Sequence, residues 1–276
     1  MKMKEITKIL EKIHKVPLME ETVDGIKYGD PEAELTGIMV SCCASIHVIR
    51  KAIEEQCNLI IVHEPVFYTH EDKCSWSEKD SIYQQKVRLL EENHITVYRD
   101  HDQIHMQKPD GISDGIMKEL GWEDYLVSPG KEDIEFSHII YKLPKTTVRE
   151  LAEFLKVKLS LDMVRIIGNP EGMVEKVMFC GHILPSEAGT YEEHEFTDVL
   201  MNDEADVLIP GELIDWTTAN AARDAGELGM NKAILSIGHF NSEELGMKYL
   251  ATLLKQEVPG ELPVMFEAAA DMYTYI

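Results

Sequence analysis

Apolar positions recur along the chain in two periods, and the switches between them mark its elements. Residues 4–14 place Ile6, Ile9, Leu10 and Ile13 on one helical face. The loop DGIKYGDPEAE follows, rich in Gly, Pro and acid. LTGIMVSCC then reads as a strand, SIHVIRKAIEEQ as a helix with Ile46, Ile49 and Ile53 along one side, and NLIIVHEP as a second strand. This strand–helix–strand order predicts a parallel βαβ unit. Its short runs of consecutive apolar residues fit strands buried on both faces. The stretch from Tyr68 to Trp76 is polar and irregular, SEKDSIYQQKVRLLEENH predicts a helix, ITVYRDHD a third strand, and Asp110 to Gly121 a further helix ended by Gly121.

GWEDYLVSPGKEDIE breaks the pattern and marks a domain boundary. Beyond it, SHIIYKLP predicts a strand and TTVRELAEFLKVKL a helix opened by Thr146 or Thr147. MVRIIGN and VEKVMFCGH predict strands separated by the turn NPEG. TYEEHEFTDVLMND reads as a helix, ADVLIPGEL as a strand, and DWTTANAARDAGELG as a helix with Asp215 as its N-cap. KAILSIGHF, NSEELGMKYLATLLKQE and LPVMFEAA close the chain as strand, helix and strand. The expected fold class is α/β, with two α/β domains built on mixed, largely parallel sheets. Residues 1–128 with 245–276 form the first domain and residues 129–244 the second.

Length permits this division, since 276 residues suffice for two cores. The formal net charge of −23 argues against nucleic-acid binding and against docking to anionic membranes. It leaves a phosphate-bearing small-molecule substrate open, because bound cations reverse the local sign. The five cysteines, Cys42, Cys43, Cys57, Cys74 and Cys180, include no C-x-x-C pair and fit free thiols in a reducing cytoplasm. MKMKEITKILEKIHKVP reads as an amphipathic helix and not a signal peptide, and no apolar run approaches the ~20 residues that span a bilayer.

Three clusters of metal-capable side chains each follow a predicted buried strand. The first is His63-Glu64, with Pro65 behind it. The second, Asp100-His101-Asp102-Gln103-Ile104-His105, puts His101 and His105 on one face if the chain turns helical; Asp100 and Asp102 read as solvated or supporting carboxylates. In the third, His239 and Glu243 are again four apart, and capping by Asn241 or Ser242 is an equally good account of the segment. Strand ends of an open α/β sheet gather at one edge. The expected ligands are therefore His63, Glu64, His101, His105, His239 and Glu243, more than one tetrahedral ion needs, and they suit two divalent transition-metal ions: Zn, Fe, Mn or Ni. Glu212, after ADVLIPG, reads either as a supporting or general-base carboxylate or as a turn residue. His182 is expected to line the same region without ligating, and His194 to be exposed.

The ordered set of blocks resembles the Nif-three-like dinuclear-metal family, some members of which are named GTP cyclohydrolase I type-two homologues. GDPEAELTGIMVSCCASIHVIRKAIEEQCNLIIVHEPVFY resembles its opening block, YRDHDQIH its second metal block, and KVMFCG, ADVLIPGEL and SIGHFNSE its last three. The resemblance implies two α/β domains with a two-metal site in the cleft between them, and a homo-oligomer, often a hexameric ring. That family reads His-His-Pro where this chain has His63-Glu64-Pro65, and an Asp where this chain has His105. A carboxylate bridges two ions and a neutral imidazole does not. His105 cannot reproduce a bridging Asp, whereas Glu64 has the reach to do so.

Two functions follow as expectations. One is a metal-dependent hydrolase acting on a phosphoester or an amide-like ring bond, with Glu212 or Glu64 handling protons. The other is a non-catalytic metal-binding regulatory or scaffold protein. GTP ring opening ranks lower, since no G-x-x-x-x-G-K-[ST] phosphate loop occurs in the sequence.

Overall fold

A computed structural model describes residues 1–73, 75, 79–184, 195–274 and 276 of the chain. The chain forms two compact units, Met1–Ile116 with Glu244–Ala270, and Met117–Glu243 with Asp271–Ile276.

The first unit is built on a five-stranded sheet. Its strands are β1 (Gly25–Tyr28), β2 (Ile38–Ser41), β3 (Leu59–Val62), β4 (Thr96–Arg99) and β11 (Val264–Phe266), in the order β1-β4-β3-β2-β11. All pairs are parallel except β1 with β4. Every residue of β2, β3 and β4 is buried, which is why these segments carry apolar runs and not an alternating pattern. Helices α1 (Ile6–His14), α2 (Ile46–Glu54) and α3 (Ser81–Glu92) match the predicted periodicity. Ser45 caps α2 through Val48 N and Asp80 caps α3 through Ile82 N. The core packs Met39, Ile60, Val62 and Val97 against Val48 and Ile49 of α2. The segment expected as the loop DGIKYGDPEAE contains β1, held at the sheet edge by Ile26↔Tyr98 and a bulge before Tyr28. The four residues Gly25–Tyr28 are too few to show a period. Helix α4 (Asp102–Met106) is a single short turn after β4.

Two helices cross the division between the units in sequence. They are α5 (Gly111–Leu120) and α9 (His239–Glu257).

The second unit has a six-stranded sheet. Its strands are β5 (Leu126–Ser128), β6 (Ile139–Thr147), β7 (Arg165–Gly168), β8 (Met173–Phe179), β9 (Val207–Ile209) and β10 (Ala233–Ser236), in the order β5-β6-β8-β9-β10-β7. The sheet is mixed: β8, β9 and β10 run parallel at its centre, and the pairs on either side are antiparallel. Thr147 opens α6 (Val148–Lys158) with a reciprocal capping box to Glu150. The core joins Met178, Leu208 and Ile234 to Leu200 of α7 (Glu195–Met201) and Ala222 of α8 (Thr218–Glu227). Helix α8 starts two residues later than expected. Its N-cap is Thr217, with no side-chain cap bond, and not Asp215. No helix among the described residues is long and apolar enough to cross a membrane.

Candidate metal centre

In the first unit, the register Val62↔Arg99 sets the ends of β3 and β4 level. Asp100 N donates to Val62 O at 2.8 Å, and just beyond, His63 Nδ1 donates to the Asp100 carbonyl at 3.1 Å. Helix α4 then turns His105 back toward the same point. The ring of His63 stands 4.5 Å from that of His101 and 4.9 Å from that of His105, and the latter two are 5.2 Å apart. One nitrogen from each of these three imidazoles lies within 4.8 Å of the other two. The helical turn that the His101/His105 spacing required is thus present.

The partners of these rings fix their hydrogens. His101 Nδ1 donates to Asp102 Oδ1 at 2.9 Å and His105 Nδ1 to Asp110 Oδ2 at 2.6 Å. A carbonyl and two carboxylates only accept, so the hydrogen of each neutral ring sits on Nδ1 and the lone pair on Nε2. Burial pushes His63 well below the usual histidine range, and the neighbouring His105 and His101 push it further. Burial lowers His101 too, against the pull of Asp102. Neutral imidazole is the form that ligates a metal, so the residues present fit a transition-metal ion. Asp102 stays ionised. Burial opposes this, but hydrogen bonds from Thr22, His101 and Val23 bring it down to about 2.

Besides Asp110, three further supporting residues were missed in the sequence. Asp24 accepts from the backbone N–H groups of His101 (2.6 Å), Asp102 (3.0 Å) and Gln103 (2.7 Å), and so anchors the start of α4. His14 Nε2 pairs with Asp100 Oδ2 at 2.8 Å in full burial, which fixes the residue whose carbonyl holds His63. His70 places its ring 5.3 Å from that of His101, on a loop whose His70 carbonyl is bonded by the buried Arg99 guanidinium. Glu64 is half-buried beside them, close enough to raise the proton affinity of both His101 and Arg99; it is not one of the three imidazoles, but it offers a carboxylate oxygen within 4.8 Å of a His63 nitrogen.

In the second unit, the level ends of β8, β9 and β10 are each followed by a glycine and then a metal-capable residue: Gly181-His182, Gly211-Glu212 and Gly238-His239. Gly181 and Gly238 have φ of 61° and 96°. A Cβ at Gly211 would sit 2.5 Å from Ser242 Oγ and 2.9 Å from the His182 ring. Helix α9 begins at His239 itself, and Asn241 Nδ2 donates back to Ile237 O, so neither Asn241 nor Ser242 is the cap. His239 and Glu243 share a face, Nε2 to Oε2 3.6 Å, and Glu212 Oε1 lies 3.3 Å from His239 Nδ1. His182, expected to line the site without ligating, offers a ligand atom within 4.8 Å of those of His239 and Glu243. Its Nδ1, however, accepts from Glu212 N at 3.2 Å, which puts its hydrogen on Nε2, the opposite tautomer from the first group. The repeated Gly-His, Gly-Glu, Gly-His pattern was the signal available for His182. His194 and Cys74 lie outside the described residues, and the four described cysteines are buried free thiols.

Of the expected ligands, His63, Glu64, His101 and His105 belong to the first unit, and His239 and Glu243 to the second. Among known proteins, the Clostridium perfringens "GTP cyclohydrolase 1 type 2 homolog" is 26% identical over all of both chains. Its Clostridium acetobutylicum namesake is 26% identical over 88% of this chain and 85% of its own. In structure, a Bacillus cereus protein related to NIF3 superposes with a TM-score of 0.70 over 100% of this chain and 99% of its own, at 16% identity. Reduced HcgD from Methanocaldococcus jannaschii gives 0.65 over 96% and 97%, at 19% identity; both likenesses concern the fold alone. The Duf34/NIF3 (NGG1p interacting factor 3) family model matches residues 1–271, and the chain belongs to that family.

Proposed function

We propose that this chain is a metal-dependent hydrolase that takes up to two divalent transition-metal ions and cleaves a phosphoester or an amide-like ring bond in a small molecule. One observation carries the reading: three imidazoles, His63, His101 and His105, brought together with each Nδ1 already committed to an acceptor. When bound, the ion supplies an activated water near neutral pH. The rest falls to the chain. Asp100, Asp102 and Asp110 hold the three rings in register, and Asp24 fixes the start of α4, which places His101 at its N-cap and His105 within it. His239 and Glu243 are the residues for the second ion, with Glu212 at His239 Nδ1; His182 joins them only if its Nδ1 gives up the Glu212 N–H or its hydrogen leaves Nε2.

Glu212 has two candidate roles, orienting His239 and moving a proton as general base, and Glu212→Gln separates them. The amide oxygen still accepts from His239 Nδ1 but does not take up a proton. Loss of turnover with unchanged metal content assigns the base role; unchanged turnover assigns orientation. The hydrolase reading is tested by loading the protein with Zn(II), Mn(II), Fe(II) or Ni(II) and assaying phosphomonoesters, phosphodiesters, nucleotides and cyclic amides. Turnover that disappears in the His63→Ala variant supports it. Stoichiometric metal with no turnover across the panel supports the alternative, a metal-binding regulatory or scaffold protein. That alternative gains weight from the replacement of a carboxylate by His105, since a bridging oxygen is then lost from α4. The expected setting is a cytoplasmic homo-oligomer, a hexamer in the simplest case, which light scattering in solution decides.

A further inference from the structure

We propose that Ser137, His138 and Glu195 form a nucleophilic serine site in the second unit, one that cleaves a carboxylic ester without a metal ion. Ser137 is the nucleophile, His138 its general base, and Glu195 the positioning residue behind the base. The proposal stands independently of the metal-binding reading above.

Two neighbouring residues at the entry to β6 supply the first pair. Ser137 Oγ lies 2.8 Å from His138 Nδ1. The same hydroxyl lies 3.4 Å from the Cys180 carbonyl oxygen, so the imidazole is the closer of its two acceptors. Glu195, the first residue of α7, brings its Oε1 to 2.9 Å from His138 Nε2. The two stand at ion-pair distance without the alignment of a hydrogen bond, and the buried Nε2 has no other partner among the described residues. A lone pair on Nε2 would face the lone pairs of a carboxylate oxygen. The hydrogen of the neutral ring therefore sits on Nε2, and Nδ1 is left to accept from Ser137. Nucleophile, base and carboxylate follow in the order that activates a serine, with the two ring nitrogens exchanged relative to the usual triad.

A Ser–His hydrogen bond between neighbours could serve only to hold a turn. Two further observations on His138 point beyond that. Its φ is 62°, in the left-handed region that non-glycine residues seldom occupy and that gathers at functional sites. Its ring also stacks on Phe196, with centroids 5.1 Å apart and planes 19° apart. Phe196 belongs to the buried core, so the imidazole is held in the plane that serves both partners. The site still meets solvent: the His138 and Glu195 side chains are 40% and 38% exposed, and Ser137 is half-buried.

The chemistry balances on these groups and water. Ser137 Oγ bonds to the ester carbonyl carbon while its proton passes to His138 Nδ1. The carbon–alkoxy bond breaks, and Nδ1 gives that proton to the departing alcohol. Water then attacks the acyl-serine, loses a proton to Nδ1 and releases the acid as the carbon–Oγ bond breaks. Nδ1 returns the proton to Oγ.

The test labels the full chain with a fluorophosphonate, with and without EDTA, and locates the adduct by peptide mass spectrometry. Ser137 should be the labelled residue, at the same rate in both conditions, and p-nitrophenyl acetate should leave an acetyl group on it. Ser137→Ala should lose both adducts. His138→Asn, which tolerates a positive φ, should slow labelling by about 10²–10⁴-fold. Glu195→Ala should lower the maximal labelling rate and leave the half-saturating probe concentration unchanged, a split that a merely structural role does not give. A fifteen-nitrogen histidine spectrum of the parent needs no variant to fold, and His138 should show its hydrogen on Nε2. An unlabelled Ser137 in the folded parent overturns the nucleophile. Undiminished labelling in His138→Asn, or an Nδ1–H tautomer at His138, overturns the relay. Labelling that EDTA abolishes overturns the metal-independent site.

Discussion

Asp24 shows how much one carboxylate can organise. Three successive backbone N–H groups at the start of α4 end on its two oxygens, the arrangement that a helix start leaves to be supplied from outside. Removing it strands those donors in a buried setting. Asp24→Ala should cost about 2 kcal/mol of stability, read by urea unfolding, and should weaken metal binding because His101 and His105 ride on α4. An unchanged midpoint would refute the anchoring role. Lys86 is a second residue whose environment makes a definite prediction. It is buried on α3, its Nζ donates to Val66 O, and the rings of Phe67 and Tyr68 lie 5.7 Å and 5.0 Å from it. Burial lowers its pKa to about 8. Between that value and about 10.4, the ordinary lysine value, the unfolded chain keeps the proton that the folded chain has released. Stability contributed by this residue therefore rises with pH across that window. Below pH 8 both states are protonated and the burial cost is present in full. The gain over the window is on the order of 3 kcal/mol. Comparison of the wild type with Lys86→Met at pH 7.5 and pH 10 isolates it, and parallel pH profiles would refute it.

Helices α5 and α9 approach so closely that only glycine fits. A Cβ on Gly246 would lie 2.6 Å from Ile112 Cα and 2.8 Å from its carbonyl oxygen, and one on Gly115 would lie 2.7 Å from Gly246 Cα. The clashing atoms are backbone, so no rotamer relieves them. Gly246→Ala should destabilise by about 1–3 kcal/mol, although Ala is the better helix former by about 1 kcal/mol. Stabilisation in thermal unfolding, as at an exposed helical glycine, would exclude this crossing. The legibility of the elements follows their length and burial. β2, β3 and the helices α2 and α6 could be read directly, because apolar runs and Ser or Thr caps repeat a local physical demand. β1 could not, since its four residues pair only because Tyr98 stands opposite. The start of α8 at Thr217 was hidden by Asp215, a better cap by composition. At the site, His63, His101 and His105 were legible as strand-end histidines. Asp24 and Asp110 were not, because a supporting carboxylate has no sequence signature until the fold shows what it touches.

The distribution of ligands over the whole chain has a thermodynamic consequence. His63, His101 and His105 all lie within Met1–Ile116, so an ion held by these three imidazoles would draw them from one unit. An ion that binds the folded state stabilises it by RT ln(1 + [L]/Kd), about 2.7 kcal/mol at a concentration of 100 Kd. The benefit accrues to whichever cooperative unit contains the ligands. With His239→Ala and Glu243→Ala removing the second group, saturating Co(II) should slow amide exchange in β3, β4 and α4 more than in β8, β9 and β10. The formal net charge of −23 adds a direction to the salt dependence. A strongly acidic chain attracts cations over distances comparable to the screening length, about 10 Å at 0.1 M salt. Raising the salt should slow Co(II) association while stabilising the metal-free protein by damping self-repulsion. Stopped-flow uptake and thermal unfolding at two ionic strengths read these opposite trends. Uptake that is indifferent to salt would mean that the acidic surface plays no part in delivering the ion to the three histidines.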